Sequence, residues 1–190
     1  MGTAALAVCF AAASLSQAAI IITPTGGTSG GNPGGQPLFE VSGLVEGDAF
    51  NVDWGGVGGL SASAMVFIDE LTATTADVRV MLDNNSTPIS GDDPRVTAFG
   101  VGDANELSVG NTATGGAFLD DADESNSPGF AILVCATSGN NCAGGGLGGI
   151  PAGSSDTFTL ELTGNFGGSL TLDSFALKVQ GGPNGNSFEL

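Results

Sequence analysis

Apolar residues recur at every second position through much of this chain. Phe50, Val52 and Trp54 are separated by Asn51 and Asp53; Leu60, Ala62, Ala64, Val66 and Ile68 form the next series, and Val78, Val80 and Leu82 the one after. A period of two sends alternate side chains to opposite faces of an extended backbone, so each series predicts a half-buried strand. Val96, Ala98 and Gly100 make a weaker series, and a strand is expected from Phe130 to Cys135. Near the end Phe158, Leu160 and Leu162 share a phase, then Leu170 and Leu172, then Phe175, Leu177 and Val179. That last strand is expected to bury its odd-numbered residues and to show Lys178 to solvent.

Turn chemistry separates these runs. Asp83-Asn84-Asn85-Ser86, the stretch from Ser90 to Pro94, Asn165 to Gly168 and Gly181 to Gly185 are rich in residues that bond their own backbone or tolerate positive φ. A 3.6-residue period is absent except for a short helical possibility around Leu71 to Ala76. Short strands joined by Gly-rich turns, with 33 glycines in all, indicate an all-β fold, an antiparallel β-sandwich of which a jelly roll is one form. No repeat of fixed period points to a solenoid.

The ends of the sequence read differently. Residues 1–18 carry a small and apolar run from Ala4 to Leu15 and then Ser16-Gln17-Ala18, which is the pattern of a secretory signal peptide cut after Ala18. Residues 19–37 include PTGGTSGGNPGGQP, a Gly, Pro and Thr-rich lead-in with little to bury. The sandwich domain is expected over 38–180, and 181–190 as a spacer.

Charge then narrows the partners. Twenty acidic residues face only Arg79, Arg95 and Lys178, giving a net charge of -17. Nucleic acid and anionic lipid both require counter-charge, so neither is an expected partner. The 41% hydrophobic content, arranged in alternation, separates the chain from a disordered acidic tail.

Export would also settle the cysteines. Beyond the leader only Cys135 and Cys142 remain, and the sequence contains no histidine to complete a soft metal site. Their spacing is wider than that of Cys-x-x-Cys oxidoreductases. The expectation is a local disulfide staple across Ala136 to Asn141, stabilising by roughly 2–3 kcal/mol in the chain-entropy picture.

Histidine and tyrosine, the usual neutral-pH proton shuttles, are both absent, and Lys178 is the only lysine. A Ser-His-Asp triad is impossible, and no phosphate-binding glycine motif joins a strand to a helix. The run from Gly144 to Gly149 reads as a spacer. No catalytic, cofactor-binding or metal-ligating residue is therefore assigned, and no cofactor is expected. A carboxylate pair could still serve a glycosidase, but sequence spacing selects none. Trp54 falls in phase with Phe50 and Val52, which makes it core in preference to a sugar platform. Two acidic loops, Asp83 to Asp93 and Asp120 to Glu124, offer oxygen ligands of the kind calcium takes; each is read first as a solvated loop.

The string SSDTFTLELTGNFGGSLTLDSFALKVQGGPNGNS, with the upstream CATSGNNC, resembles the PEP-CTERM exported proteins of Gram-negative bacteria, of the cistern family type. The match runs roughly from Pro128 to Ser187, with Phe175 to Gln180 and Asn184 to Ser187 as its closest elements. The Pro-Glu-Pro motif, apolar helix and terminal arginines that follow in that family are not in this sequence. What the resemblance implies is an exported β protein of the cell surface or biofilm matrix, with exosortase machinery as partner where a full-length protein has the tail. It assigns no catalytic residue. Three readings result: a non-enzymatic structural or interaction protein; a secreted carbohydrate-binding module or carboxylate-based glycoside hydrolase; and a calcium-dependent adhesin. Extracellular polysaccharide and calcium are the candidate partners.

Overall fold

The structure is a computed structural model that describes residues 20–22, 40–88, 91, 93–102, 108–109, 117–118, 120–123, 134–139, 148–182 and 187–190. These residues form strands and no helix: β1 (Ile20–Ile22), β2 (Val41–Leu44), β3 (Ala49–Val57), β4 (Leu60–Leu71), β5 (Thr75–Asn84), β6 (Arg95–Gly102), β7 (Ser108–Val109), β8 (Asp120–Asp123), β9 (Val134–Thr137), β10 (Ile150–Pro151), β11 (Ser155–Thr163), β12 (Leu170–Gln180) and β13 (Phe188–Glu189). The first sheet has six strands in the order β1-β3-β4-β5-β11-β7. The second has the order β13-β12-β6-β9-β8, with β10 paired to β6 and β2 to β12. All pairings are antiparallel except that of β1 with β3. The two sheets pack together as an all-β sandwich, as the alternation predicted.

The first sheet follows the period-two pattern closely. Phe50, Val52 and Trp54 on β3, Leu60 to Ile68 at even positions on β4, Ala76 to Leu82 on β5, and Phe158, Leu160 and Leu162 on β11 are all buried. Their intervening neighbours are half-buried or exposed. Aromatic edges knit this core to the second sheet. Phe50 meets Phe175 at 5.6 Å, Trp54 meets Phe99 at 6.1 Å, and Phe99 meets Phe158 at 5.6 Å, all edge-on, the arrangement that ring quadrupoles favour.

The second sheet breaks the pattern in two places. On β6, Val96 pairs with Val179 and Ala98 with Lys178, so Thr97 is an extra residue in a bulge. Beyond it the core-facing positions are Phe99 and Val101; the expected series Val96, Ala98, Gly100 holds only for its first member. On β12 an irregularity between Asp173 and Ala176 switches the buried phase from Leu170 and Leu172 to Phe175, Leu177 and Val179. What reads as two strands is one bent strand. Lys178 is half-buried and Ala176 is buried as well.

Two further expectations change. The helical possibility at Leu71 to Ala76 is a hairpin turn, closed by Thr72 N donating to Thr75 O at 2.8 Å and Thr75 N to Thr72 Oγ1 at 2.8 Å. The threonine hydroxyl gives the backbone a turn instead of a helix. Residues expected as a spacer after Gln180 include β13, and Leu190 exchanges two 2.9 Å backbone hydrogen bonds with Leu177 and is buried. Residues 20–22 of the expected lead-in likewise form a strand.

Glycine is required at two crossings. At Gly149 (φ 94°) an added Cβ would lie 2.4 Å from the Val96 carbonyl oxygen, where β10 comes alongside β6. At Gly181 (φ 66°) it would lie 2.5 Å from the Asp93 oxygen.

Candidate functional site

The outward positions of β3, β4, β5 and β11 form a continuous face, and strand register sorts them into rows. Asp53, Ser63, Asp83 and Ser155 stand side by side. The next row is Asn51, Met65, Met81 and Thr157, and the one after is Ala49, Phe67, Arg79 and Thr159. Met65 and Met81 are 41% and 45% exposed, unusual for side chains of this size in this molecule. A shallow depression of about 310 Å³ opens here, lined by Asn51, Asp53, Ser63, Ala64, Met65, Met81 and Asp83.

One end of this face is electrostatically closed. A register shift after Ile68 inserts Asp69 as an extra residue, and its carboxylate takes a forked pair of hydrogen bonds from Arg79, Nε to Oδ2 at 2.6 Å and Nη2 to Oδ1 at 2.9 Å. The guanidinium also lies 4.0 Å from the centre of the Phe67 ring. Hydrogen bonding to Asp69, helped by its charge and opposed by burial, raises the Arg79 pKa above its usual value. Arg79 therefore serves the outer face as a fixed, paired cation.

The residues singled out from sequence separate into distinct fates. Trp54 is 1% exposed, with Nε1 donating to the Phe175 carbonyl at 3.3 Å, so it is a core residue and not a sugar platform. Asn84 is also inside. Its Nδ2 donates to Pro94 O at 3.0 Å and Ile150 O at 2.8 Å, while its Oδ1 accepts from Ser86 N at 3.1 Å. Asn84 thus ties the end of β5 to the start of β6 and to β10, and its amide is not available to a cation. In the same stretch Asn85 donates to Ser63 Oγ at 2.8 Å and Asp93 pairs with Arg95 at 2.9 Å. Asp92 lies outside the described residues. The first acidic stretch is consequently spread over an inward latch, the outer face and an ion pair.

Asp120, Asp121 and Asp123 belong to β8, paired with β9, where a loop was expected; Glu124 lies outside the described residues. Among the described residues, no three acidic or cysteine side chains come together as a metal-binding group. Cys135 is fully buried on β9 and has a bonding partner, while Cys142 lies outside the described residues. The strand expected from Phe130 begins, among the described residues, at Val134.

Sequence reasoning found the outward phase of this face but not its rows, which depend on how strands align. The Gly58-Gly59 turn places Val57 opposite Leu60, but a register shift between Val57 and Trp54 separates that pairing from the rows, so the turn does not reveal them. Comparison with protein-family models, curated proteins and solved structures finds no match.

Proposed function

We propose that this chain is an exported, non-enzymatic β-sandwich of the cell surface or biofilm matrix that works by presenting the outer face of its first sheet. The observation that carries this reading is the face itself: four long, closely registered strands hold a polar surface broken by an exposed methionine pair. Rigid strands position surface groups with little ordering cost on binding. The leader-like residues 1–18 and the resemblance to PEP-CTERM exported proteins support the export part of the reading. In the same proposal exosortase machinery handles the full-length protein where a sorting tail is present.

A carbohydrate-binding module is the second reading, favoured by the depression with Asn51, Ser63 and two carboxylates at its rim. It lacks an aromatic platform at Trp54, which is in the core.

Fractionation of a Gram-negative host producing the chain, combined with a glycan array and a hydrolysis screen, tests these readings. Processing after Ala18, recovery outside the inner membrane and no turnover are expected. Retention of the unprocessed chain in the cytoplasm would refute export, and turnover of any glycan would refute the non-enzymatic assignment.

A further inference from the structure

We infer that the depression across β3, β4 and β5 binds aliphatic oligoamines, molecules whose ammonium groups are separated by methylene chains. This rests on the reading of the outer face as the working surface. Asp53 and Asp83 lie in one row with Ser63 between them, so their backbones are two strand spacings apart, about 9–10 Å. A single calcium ion needs its oxygens within about 2.6 Å of the metal, whereas carboxylates rising from strands this far apart suit two separate positive groups. The adjoining row supplies what lies between those groups. Met65 and Met81 face each other across β4 and β5, each a little under half exposed, and a methylene chain laid over them removes apolar surface on both partners from water.

Among the described residues, no basic side chain compensates the charge of the depression. Of the three bases, Arg79 is held by Asp69 beyond the methionine row, Arg95 is paired with Asp93, and Lys178 stands on β12 in the other sheet. None is placed to neutralise Asp53 or Asp83. An anionic ligand is repelled, a monoamine satisfies one carboxylate, and a diamine or longer oligoamine meets both carboxylates and the methionines together. Asn51 adds a neutral amide at the rim, suited to an ammonium or secondary-amine hydrogen bond.

Calorimetric titration of the full chain with spermidine, putrescine, butylamine and magnesium, at low and at physiological salt, tests the assignment. One saturable site is expected, with spermidine and putrescine tighter than butylamine. Asp53→Asn and Asp83→Asn should each weaken spermidine by about threefold to fivefold, the size of one exposed ion pair. Asp77→Asn, on the same outer face but outside the depression, should leave affinity unchanged, and urea melts confirm that all three variants fold. Equal losses from Asp77→Asn, or magnesium competing at equal concentration, would show diffuse counterion attraction and overturn the site. Tighter binding of a lysine-rich peptide than of spermidine would assign the face to a protein partner and also overturn it. Absence of saturable binding would end this proposal while leaving the export and non-enzymatic readings to their own assays.

Discussion

The sheet built on β3, β4, β5 and β11 leaves one face to solvent, whereas much of the outer face of the sheet built on β6, β9 and β12 is buried. In the first, outward positions such as Asn51, Ser63, Met81 and Thr157 are half-buried or exposed. In the second, Val134 and Ala136 point into the core while Cys135 and Thr137, in the opposite phase, are buried too, as are Thr97, Ala98, Gly100 and Ala176. Most of these buried outward residues are small, while Lys178 and Gln180 near the end of β12 are half-buried. Alongside β6 the chain packs tightly: the Ser138 backbone N donates to the Thr97 carbonyl at 2.9 Å, and Gly149 crosses against Val96. The outer faces of the two sheets thus differ in burial and in side-chain size. Cys135, one end of the expected staple, belongs to the second sheet, away from the proposed binding face.

The largest loss of stability is expected from a charge placed on the inward side of the second sheet. Leu177→Asp should cost on the order of 5 kcal/mol, because a carboxylate would be buried without a partner. Lys178→Ser, one residue along in the opposite phase, should cost no more than about 1 kcal/mol. Urea denaturation of both variants reads the register directly, and equal losses would mean that β12 is not packed as described.

A second pair of variants compares two phenylalanines. Phe99→Ala removes a fully buried ring that touches Trp54 and Phe158, and should cost about 3–5 kcal/mol. Phe67→Ala, on the open face beneath Arg79, should cost about 1 kcal/mol through loss of the cation–π contact and partial burial. If the open-face ring proved the more costly, the division between sealed and presenting sheets would fail.

Phe99 also shows where sequence reading ends. The first sheet was legible because its strands run in unbroken alternation, and every residue assigned inward from β3, β4, β5 and β11 is buried. In β6 the single extra residue Thr97 moves the inward phase from even to odd positions, so a reading that extends the alternation from Val96 selects Ala98 and passes over Phe99. Such a bulge has no strict residue signature, and only the partner strand reveals it. Asn84 was missed for another reason. Its position among turn formers suggested a solvated loop, yet it continues the inward phase of Ala76, Val78, Val80 and Leu82. Phase was the better guide there. The rows of the outer face were beyond reach, since alternation names which residues face outward without naming their neighbours on the next strand.

Smaller effects sharpen the same contrast. Reduction of the proposed staple, or Cys142→Ser, should lower stability by about 2–3 kcal/mol without unfolding the chain. Non-reducing mass spectrometry should find Cys135 linked to Cys142, and free thiols in exported protein would remove the staple from the sealed side. Asn84→Ala should cost about 2 kcal/mol, because the Pro94 and Ile150 carbonyls lose their donor in a buried setting. Asn85→Ala, whose amide bonds Ser63 at the surface, should stay within about 0.5 kcal/mol. Thermal melts rank the two.

The smallest expected effect tests the electrostatic end of the presenting face. Asp69→Asn leaves the bulge but removes the charge that Arg79 grips with two hydrogen bonds. Arg79 and Asp69 side chains are 33% and 42% exposed, so solvent screens the pair and the cost should be about 0.5 kcal/mol, shrinking further in 1 M salt. The pH dependence has a definite sign. Because the folded-state pKa of Arg79 is raised above its usual value, the contribution from its charge is fully present below the unfolded value and lost only as pH rises through the folded one. Between neutral pH and about pH 10 the difference between the wild-type and Asp69→Asn melting temperatures should therefore stay flat. With its partner gone, Arg79 finds Glu70, Asp77 and Glu161 in the adjoining row, whereas Asp83 lies two rows away beyond Met81. Asp69→Asn should therefore leave spermidine binding unchanged, because Arg79 gains nearer partners than the carboxylates of the depression. Weaker spermidine binding by Asp69→Asn would mean that the Asp69 pair is what holds Arg79 away from Asp53 and Asp83.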